Sequence, residues 1–181
     1  MHGLTGPFIA VAALLALGGI LDLRRPAATV GALRALGLPA SRFAVRVGAA
    51  VAAAVAIGAV VSGQRLFALG MAVFYLLFAG FVAAALVGKV PLATCGCFGA
   101  DDTPATFTHL AVNVAAAVVA AVVGLGPARR DWVAAGVSGG SALVGFLFVL
   151  MTVATVSLAY LALTLLPRVF GARPRPARSP G

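Results

Sequence analysis

Long uninterrupted runs of apolar residues are the feature that most restricts how this chain can fold. Each run is close to the roughly 20 residues that an α-helix needs to cross about 30 Å of hydrocarbon. The runs are continuous and rich in Ala, Leu and Val, without the alternation that β-barrel strands show. The sequence therefore predicts an all-α, polytopic transmembrane helix bundle, in which four helices are followed by a fifth C-terminal span. The predicted spans lie at about 7–23, 44–62, 66–87, 104–125 and 143–166.

The composition excludes most classes of soluble protein. Of the 181 residues, 62% are hydrophobic and only 9% are charged, whereas a soluble domain carries about 25% charged residues. The net charge of +9 does not indicate a nucleic-acid partner, because the basic residues lie beside the spans instead of forming one accessible face. We expect a lipid bilayer as the environment, a bacterial inner membrane as the location, and no bound nucleic acid.

The distribution of arginine predicts the orientation in the membrane, because cytoplasmic loops carry the excess of basic residues. Nine arginines flank the first loop, at 24–43, or lie in the C-terminal tail, whereas three mark the opposite side. This count places the first loop and the basic, disordered tail at 167–181 in the cytoplasm. The N-terminus is then outside, and the loop around 88–103 is cytoplasmic by alternation.

The end of the first span and the loop after it contain two local features. Asp22 precedes Arg24 and Arg25, so we expect its carboxylate to neutralise a neighbouring guanidinium. Between Pro26 and Pro39 the chain could form either a short interfacial helix or an ordinary loop. The pattern alone does not separate these two structures.

Both cysteines of the chain lie in one short segment, Cys95-Gly96-Cys97. Structural cysteines usually lie within helices as small hydrophobic residues, so this placement favours redox or metal chemistry. Two thiols this close can form a disulfide only with a pinched backbone, for which Gly96 supplies the conformational freedom. A strained, accessible disulfide is of the labile kind that takes part in thiol-disulfide exchange.

A metal site is the chemical alternative, with Cys95, Cys97, His109 and an aspartate as conceivable ligands. Structural zinc sites usually provide two separate pairs of closely spaced ligands, so a single C-x-C falls short, and no metal is predicted. No motif identifies a quinone pocket either, and no cofactor is predicted.

The fourth apolar run places polar residues on one face near its start. Asp102 or Thr103 can cap this helix, and Pro104 suits its first position. Thr106, His109 and Asn113 are three and four residues apart and therefore share a helix face close to the cysteines. As a functional group, His109 could transfer protons or steady a thiolate. As a structural one, it would hydrogen-bond Asn113 or a loop carbonyl.

A pentapeptide between the third and fourth spans resembles the signature of the MauE family, which is named for methylamine utilisation and is related to DoxX-like redox membrane proteins. The similar layout covers residues 1–126: a first span, two further spans, the cysteine segment and a fourth helix. The additional span within 127–166 and the tail lie beyond this four-helix unit. The pentapeptide is Cys95-Gly96-Cys97-Phe98-Gly99.

The resemblance implies an integral membrane thiol-disulfide redox protein. It implies Cys95 and Cys97 as the redox pair, with Gly96, Phe98 and Gly99 shaping the loop. Its role would be to support disulfide formation or maturation of a partner, the small subunit of methylamine dehydrogenase in the founding case. The partner here would be a thioredoxin-like protein or a disulfide-containing exported protein.

The alternative is a non-catalytic membrane assembly factor or a small transporter in which the cysteines are structural. The two lines of inference also conflict over the side of the membrane. A disulfide donor for exported proteins should present its thiols outside, whereas the arginine count places the cysteine loop inside.

Overall fold

The computed structural model describes residues 4–88 and 106–126, together with separate helical positions at 150, 153–154, 156–158 and 161. Within the first two ranges the chain forms five α-helices and no strand. Their bounds are α1 Thr5–Arg24, α2 Ala27–Ala35, α3 Arg42–Ser62, α4 Arg65–Val87 and α5 Phe107–Leu125.

Four of these helices, α1, α3, α4 and α5, are long and apolar enough to cross a membrane. The three predicted spans that precede the cysteine motif agree with α1, α3 and α4 to within two residues at each end. The predicted all-α polytopic bundle is therefore confirmed. Most of the predicted fifth span and the whole basic tail lie outside the described residues, so that span and the division of the chain after residue 126 stay predictions.

The segment after α1 is a helix with a well-formed C-terminal end. Gly37 has a φ of +76°, and its amide donates to the Arg34 carbonyl at 2.9 Å. The Leu38 amide donates to the Leu33 carbonyl at 3.0 Å, which completes a Schellman motif. The Arg34 guanidinium also donates twice to the Ala40 carbonyl, at 2.9 and 3.1 Å. These bonds hold the linker against α2.

Helix α3 has a capped start, and a tight connection joins its end to α4. The Ser41 hydroxyl caps the start of α3 by accepting a hydrogen bond from the Ala44 amide at 3.1 Å. At the other end Gly63 has a φ of +60°, the left-handed conformation that suits glycine after a helix. Gln64 returns to an extended backbone, and α4 begins at the next residue. The two helices are therefore antiparallel neighbours.

Small residues make up most of the contacts between the spans. The helix α1 packs mainly on α3, and α4 mainly on α5, while contacts between α3 and α4 join the two pairs. Lipid tails are as apolar as leucine, so helix association in a membrane relies on close packing of small side chains. Buried alanines of four helices accordingly surround a few larger residues, which include Phe8, Met71 and Tyr75.

The helix ends near α2 form one end of the bundle, which we call the α2 end. Ala32 of α2 and Ala85 of α4 are buried against each other, which places the end of α4 there. Gly124 of α5 lies against Leu69 of α4, so α4 and α5 are antiparallel and the start of α5 is at the α2 end as well. Gly88 and Thr106, the described residues on either side of 89–105, therefore both lie at the α2 end.

The contact between α1 and α3 gives a first prediction. A Cβ atom at Gly19 would lie 2.7 Å from the Ala49 carbonyl oxygen and 3.1 Å from the Ala53 Cβ. We expect Gly19→Ala to lower the free energy of unfolding by about 1–3 kcal/mol, measured as a lower thermal midpoint in detergent micelles. Gly80→Ala is the matched control, because a Cβ there meets nothing within 4 Å. Equal midpoints for the two variants would contradict this account of the contact.

The two ends of α3 give a test of orientation. Leu38, which is 49% exposed, precedes α3, and the exposed Gln64 follows it on the opposite side of the bundle. In a cysteine-free Cys95→Ser/Cys97→Ser background, we expect a membrane-impermeant maleimide to label Gln64→Cys in spheroplasts and Leu38→Cys only after permeabilisation. The reverse pattern would show that the arginine distribution misplaces the α2 end.

Candidate functional site

A cavity of about 310 Å³ lies towards the α2 end of the bundle, and all five helices contribute to it. Its walls come from the C-terminal half of α1, from α2, from the first half of α3, from the middle of α4 and from the start of α5. Most of the lining is apolar. The polar residues that line it are Asp22, Thr29, Tyr75, His109 and Asn113.

Asp22 is held by α2 instead of by the neighbouring arginines. The Thr29 hydroxyl donates to the Asp22 carboxylate at 2.8 Å, whereas Arg24 and Arg25 are exposed. The expectation that Asp22 neutralises one of these guanidinium groups is therefore wrong. The physical reason is the sharp connection through Arg25 and Pro26, which brings the first turn of α2 to the last turn of α1 and leaves the arginines outside.

His109 is a buried side chain, 3% exposed, on the first turn of α5. Its imidazole Nδ1 is hydrogen-bonded to the Thr106 hydroxyl at 2.8 Å. The Asn113 side-chain amide donates to the His109 carbonyl at 2.8 Å. The prediction that these three residues share one face is confirmed. The contact between His109 and Asn113, however, uses the backbone carbonyl and not the ring.

The start of α5 differs from the prediction. The helix begins at Phe107 and not at Pro104, because Thr106 has an extended backbone, with φ −131° and ψ 162°. The Thr106 side chain makes no capping bond, and its hydroxyl instead orients the imidazole. The residues expected to cap the helix lie outside the described part of the chain.

Tyr75 forms the α4 side of the site. It is 5% exposed, and its hydroxyl donates to the Val11 carbonyl of α1 at 2.5 Å. Its ring meets Phe78 edge-on, with centroids 6.5 Å apart and an interplanar angle of 83°. The hydrogen bond ties α4 to α1 across the bundle, beside the cavity.

Sequence reasoning did not identify two of these residues, Thr29 and Tyr75. A signal existed for Tyr75, since a tyrosine inside an apolar span needs a partner for its hydroxyl. Thr29 could have been identified only if the sequence had predicted a definite helix at 27–35. Its contact with Asp22 depends on how that helix folds back on α1.

The cysteine motif, Cys95-Gly96-Cys97-Phe98-Gly99, lies outside the described residues. The assignment of its five residues therefore stays a prediction. The described residues that bracket it, Gly88 and Thr106, belong to the α2 end. Among the described side chains, no group of three His, Cys, Asp or Glu is arranged to hold a metal ion.

The hydrogen bond between Thr29 and Asp22 leads to a prediction. Thr29→Val keeps the shape of the side chain but removes the donor, and a lost hydrogen bond to a half-buried carboxylate costs about 1–3 kcal/mol. We expect a lower thermal unfolding midpoint in micelles, and we expect Thr29→Ser to restore most of it. Thr108→Val is the control, since Thr108 is exposed on the same helix as His109. Equal effects at positions 29 and 108 would contradict a structural role for the bond.

The comparison with known families agrees with this architecture. The model of the family described as methylamine utilisation protein MauE matches residues 4–126, the stretch that contains all four of the candidate spans described above. No curated protein and no solved structure shows significant similarity to the chain. Since the match covers well over half of the sequence, this chain belongs to the MauE family.

Proposed function

We propose that this multi-pass membrane protein carries out thiol-disulfide exchange through Cys95 and Cys97. The proposal rests on one observation. Both cysteines of the chain lie in the segment that joins α4 to α5, within a window of three residues. The described residues on either side of that segment, Gly88 and Thr106, lie at the α2 end, where Asp22 and His109 line the cavity. A carboxyl group and an imidazole, both able to exchange protons, are thus present at the α2 end, where the segment with the thiol pair connects to α4 and α5.

The proposed exchange follows ordinary disulfide chemistry. A thiolate of one protein attacks a sulfur of the other protein's disulfide, and a mixed disulfide forms between the two proteins. The second thiolate of the attacking protein then breaks this mixed disulfide, which leaves the attacking protein as a disulfide and the other as a dithiol. One protein loses two S–H bonds and gains an S–S bond, and the other undergoes the reverse, so two electrons and two protons pass between them. The close spacing of Cys95 and Cys97 favours a strained and therefore easily exchanged disulfide.

His109 is the described side chain that best suits a supporting role. An imidazole can act as a general base, so His109 is a candidate to accept the proton that a thiol releases when it becomes the attacking thiolate. The bond to Thr106 fixes the orientation of the ring, and the bond from Asn113 secures the backbone of the same turn. We therefore propose His109 and Asn113 as supporting residues for the thiol pair.

The proposed partner is a thioredoxin-like protein or a disulfide-containing exported protein. The arginine distribution favours a cytoplasmic position for the α2 end, where the pair would collect electrons from a reduced protein. A periplasmic position would instead suit direct maturation of exported proteins. The labelling of Leu38→Cys and Gln64→Cys separates these two arrangements.

The cysteine content makes the redox test direct, because Cys95→Ser/Cys97→Ser removes every thiol from the chain. We expect protein isolated under acid quench to take up two maleimide-polyethylene glycol groups after reduction and fewer before it. We expect each single Cys→Ser variant to trap its partner as a mixed disulfide, seen as a reducible band on a gel and identified by mass spectrometry. The cysteine-free variant is the blank for both measurements.

A folding control accompanies these variants. All three serine variants should keep the thermal midpoint of the wild type, so that loss of exchange is not loss of the bundle. If the double-serine variant retains full function and still co-purifies with the partner, exchange is excluded and the non-catalytic assembly factor is the better description.

A further inference from the structure

The acidic and imidazole groups of the described bundle meet at the same cavity. Asp22 is the only carboxylate residue among the described positions, and His109 is the only histidine there. Both residues belong to helices that are otherwise apolar enough to cross a membrane, and both line the cavity. Ionisable groups within membrane spans are costly and mark functional sites. Their convergence points to a ligand.

The rest of the lining restricts the ligand by shape and charge. Helix α4 contributes the rings of Phe74 and Phe78, while α1 and α3 contribute Gly18 and Gly48, so an apolar, flat molecule is favoured. The volume of about 310 Å³ is near the lower end of the roughly 300–1,000 Å³ typical of small-molecule pockets. None of the residues described as lining the cavity is Lys or Arg, which disfavours a phosphate headgroup.

We propose that this cavity binds the ring of a quinone from the bilayer. A quinone ring is flat and neutral, and its carbonyl oxygens accept hydrogen bonds. The side-chain amide of Asn113 has two N–H groups and can donate one to a quinone while the other is given to the His109 carbonyl. Its reduction takes up the two protons that the thiols release, and Asp22 and His109 are cavity-lining groups that can pass protons on. The inference rests on the proposed thiol-disulfide function, for which it names the oxidant.

The redox step balances with the quinone as the only added reactant. The thiols of Cys95 and Cys97 lose two S–H bonds and form one S–S bond. The two carbonyl oxygens of the quinone become hydroxyl groups, so two electrons and two protons pass from the dithiol to the quinol. The quinol leaves through the bilayer, and the new disulfide accepts electrons from the protein partner by exchange.

Binding is tested first in the cysteine-free Cys95→Ser/Cys97→Ser protein, which separates the cavity from the thiol chemistry. Menadione and 2-methylnaphthalene share the same fused ring and methyl group, but only menadione has carbonyl oxygens. We expect menadione to raise the thermal unfolding midpoint in micelles, because a ligand that binds the folded state stabilises it. We expect no rise with 2-methylnaphthalene.

A matched pair of variants places the binding in the cavity. A Cβ atom at Gly48, which lines the cavity, meets nothing within 4 Å, and the same holds for Gly80 on the exposed face of α4. We expect Gly48→Leu to weaken menadione binding at least about tenfold, a loss of roughly 1.4 kcal/mol, and Gly80→Leu to leave it unchanged.

Electron transfer is tested with the wild-type cysteines and ubiquinone-1, whose ring is fully substituted and does not add thiols. We expect one quinol to form for each reduced protein, together with loss of two maleimide-reactive thiols. Asp22→Asn should slow this reaction at least about tenfold, because a carboxyl group that passes protons to the quinone is removed.

The outcomes separate the two proposals. A wild type that exchanges disulfides with a thioredoxin-like protein but neither binds menadione nor reduces ubiquinone-1 overturns the quinone site and leaves the exchange function standing. Equal stabilisation by menadione and 2-methylnaphthalene, or equal loss in Gly48→Leu and Gly80→Leu, also overturns it, since binding would then be non-specific partitioning. Carbonyl-dependent binding without any cycling of the cysteines supports the site and overturns the exchange function.

Discussion

The bundle depends on the close approach of α1 and α3 at Gly19, where the helix backbones come too near for any side chain between them. A Cβ atom there would stand 2.7 Å from a carbonyl oxygen of α3. In a membrane no hydrophobic force drives helices together, so contacts of this kind supply the association energy. The residues beside the contact, Gly18, Gly48 and Ala49, also line the cavity. Gly19 and Ala49 therefore take part both in the contact between the helices and in the wall of the cavity.

The polar side chains that line the cavity have hydrogen-bond partners. Asp22 is bonded to Thr29, and Tyr75 to Val11 of the facing helix. Among the described residues, no buried side-chain nitrogen or oxygen atom lacks a hydrogen-bond partner. An unsatisfied group in hydrocarbon would cost several kcal/mol, so the bonds allow polar side chains to persist inside an apolar bundle. They also fix where those side chains stand.

The sequence was sufficient for the spans and insufficient for the cavity, for a physical reason. A membrane span is set by the length of one apolar run, so α1, α3 and α4 followed from local composition alone. The face shared by Thr106, His109 and Asn113 followed from helical spacing in the same way. The cavity instead collects residues from five helices, and the partner of Asp22 depends on a chain reversal at Arg25 and Pro26. Such features require the packed structure.

The quinone proposal and the exchange proposal draw on different parts of the chain. The exchange function depends on Cys95 and Cys97, which the sequence motif identifies as candidate redox residues. The quinone site depends on the described side chains of the cavity, chiefly Asp22 and His109. Together they describe a protein that would link thiol chemistry at one membrane surface to a carrier dissolved in the lipid.

The two-residue connection at Gly63 and Gln64 has a consequence for how the protein is made. Closing so short a loop costs little chain entropy, so α3 and α4 can pair as soon as α4 emerges from the insertion machinery. The most extensive partner of α4, however, is α5, which is synthesised only after the segment 89–105. Until α5 arrives, the face of α4 that it will cover must remain against lipid or against the machinery itself. During biogenesis there is therefore a stage at which α4 is already paired with α3 but not yet with α5.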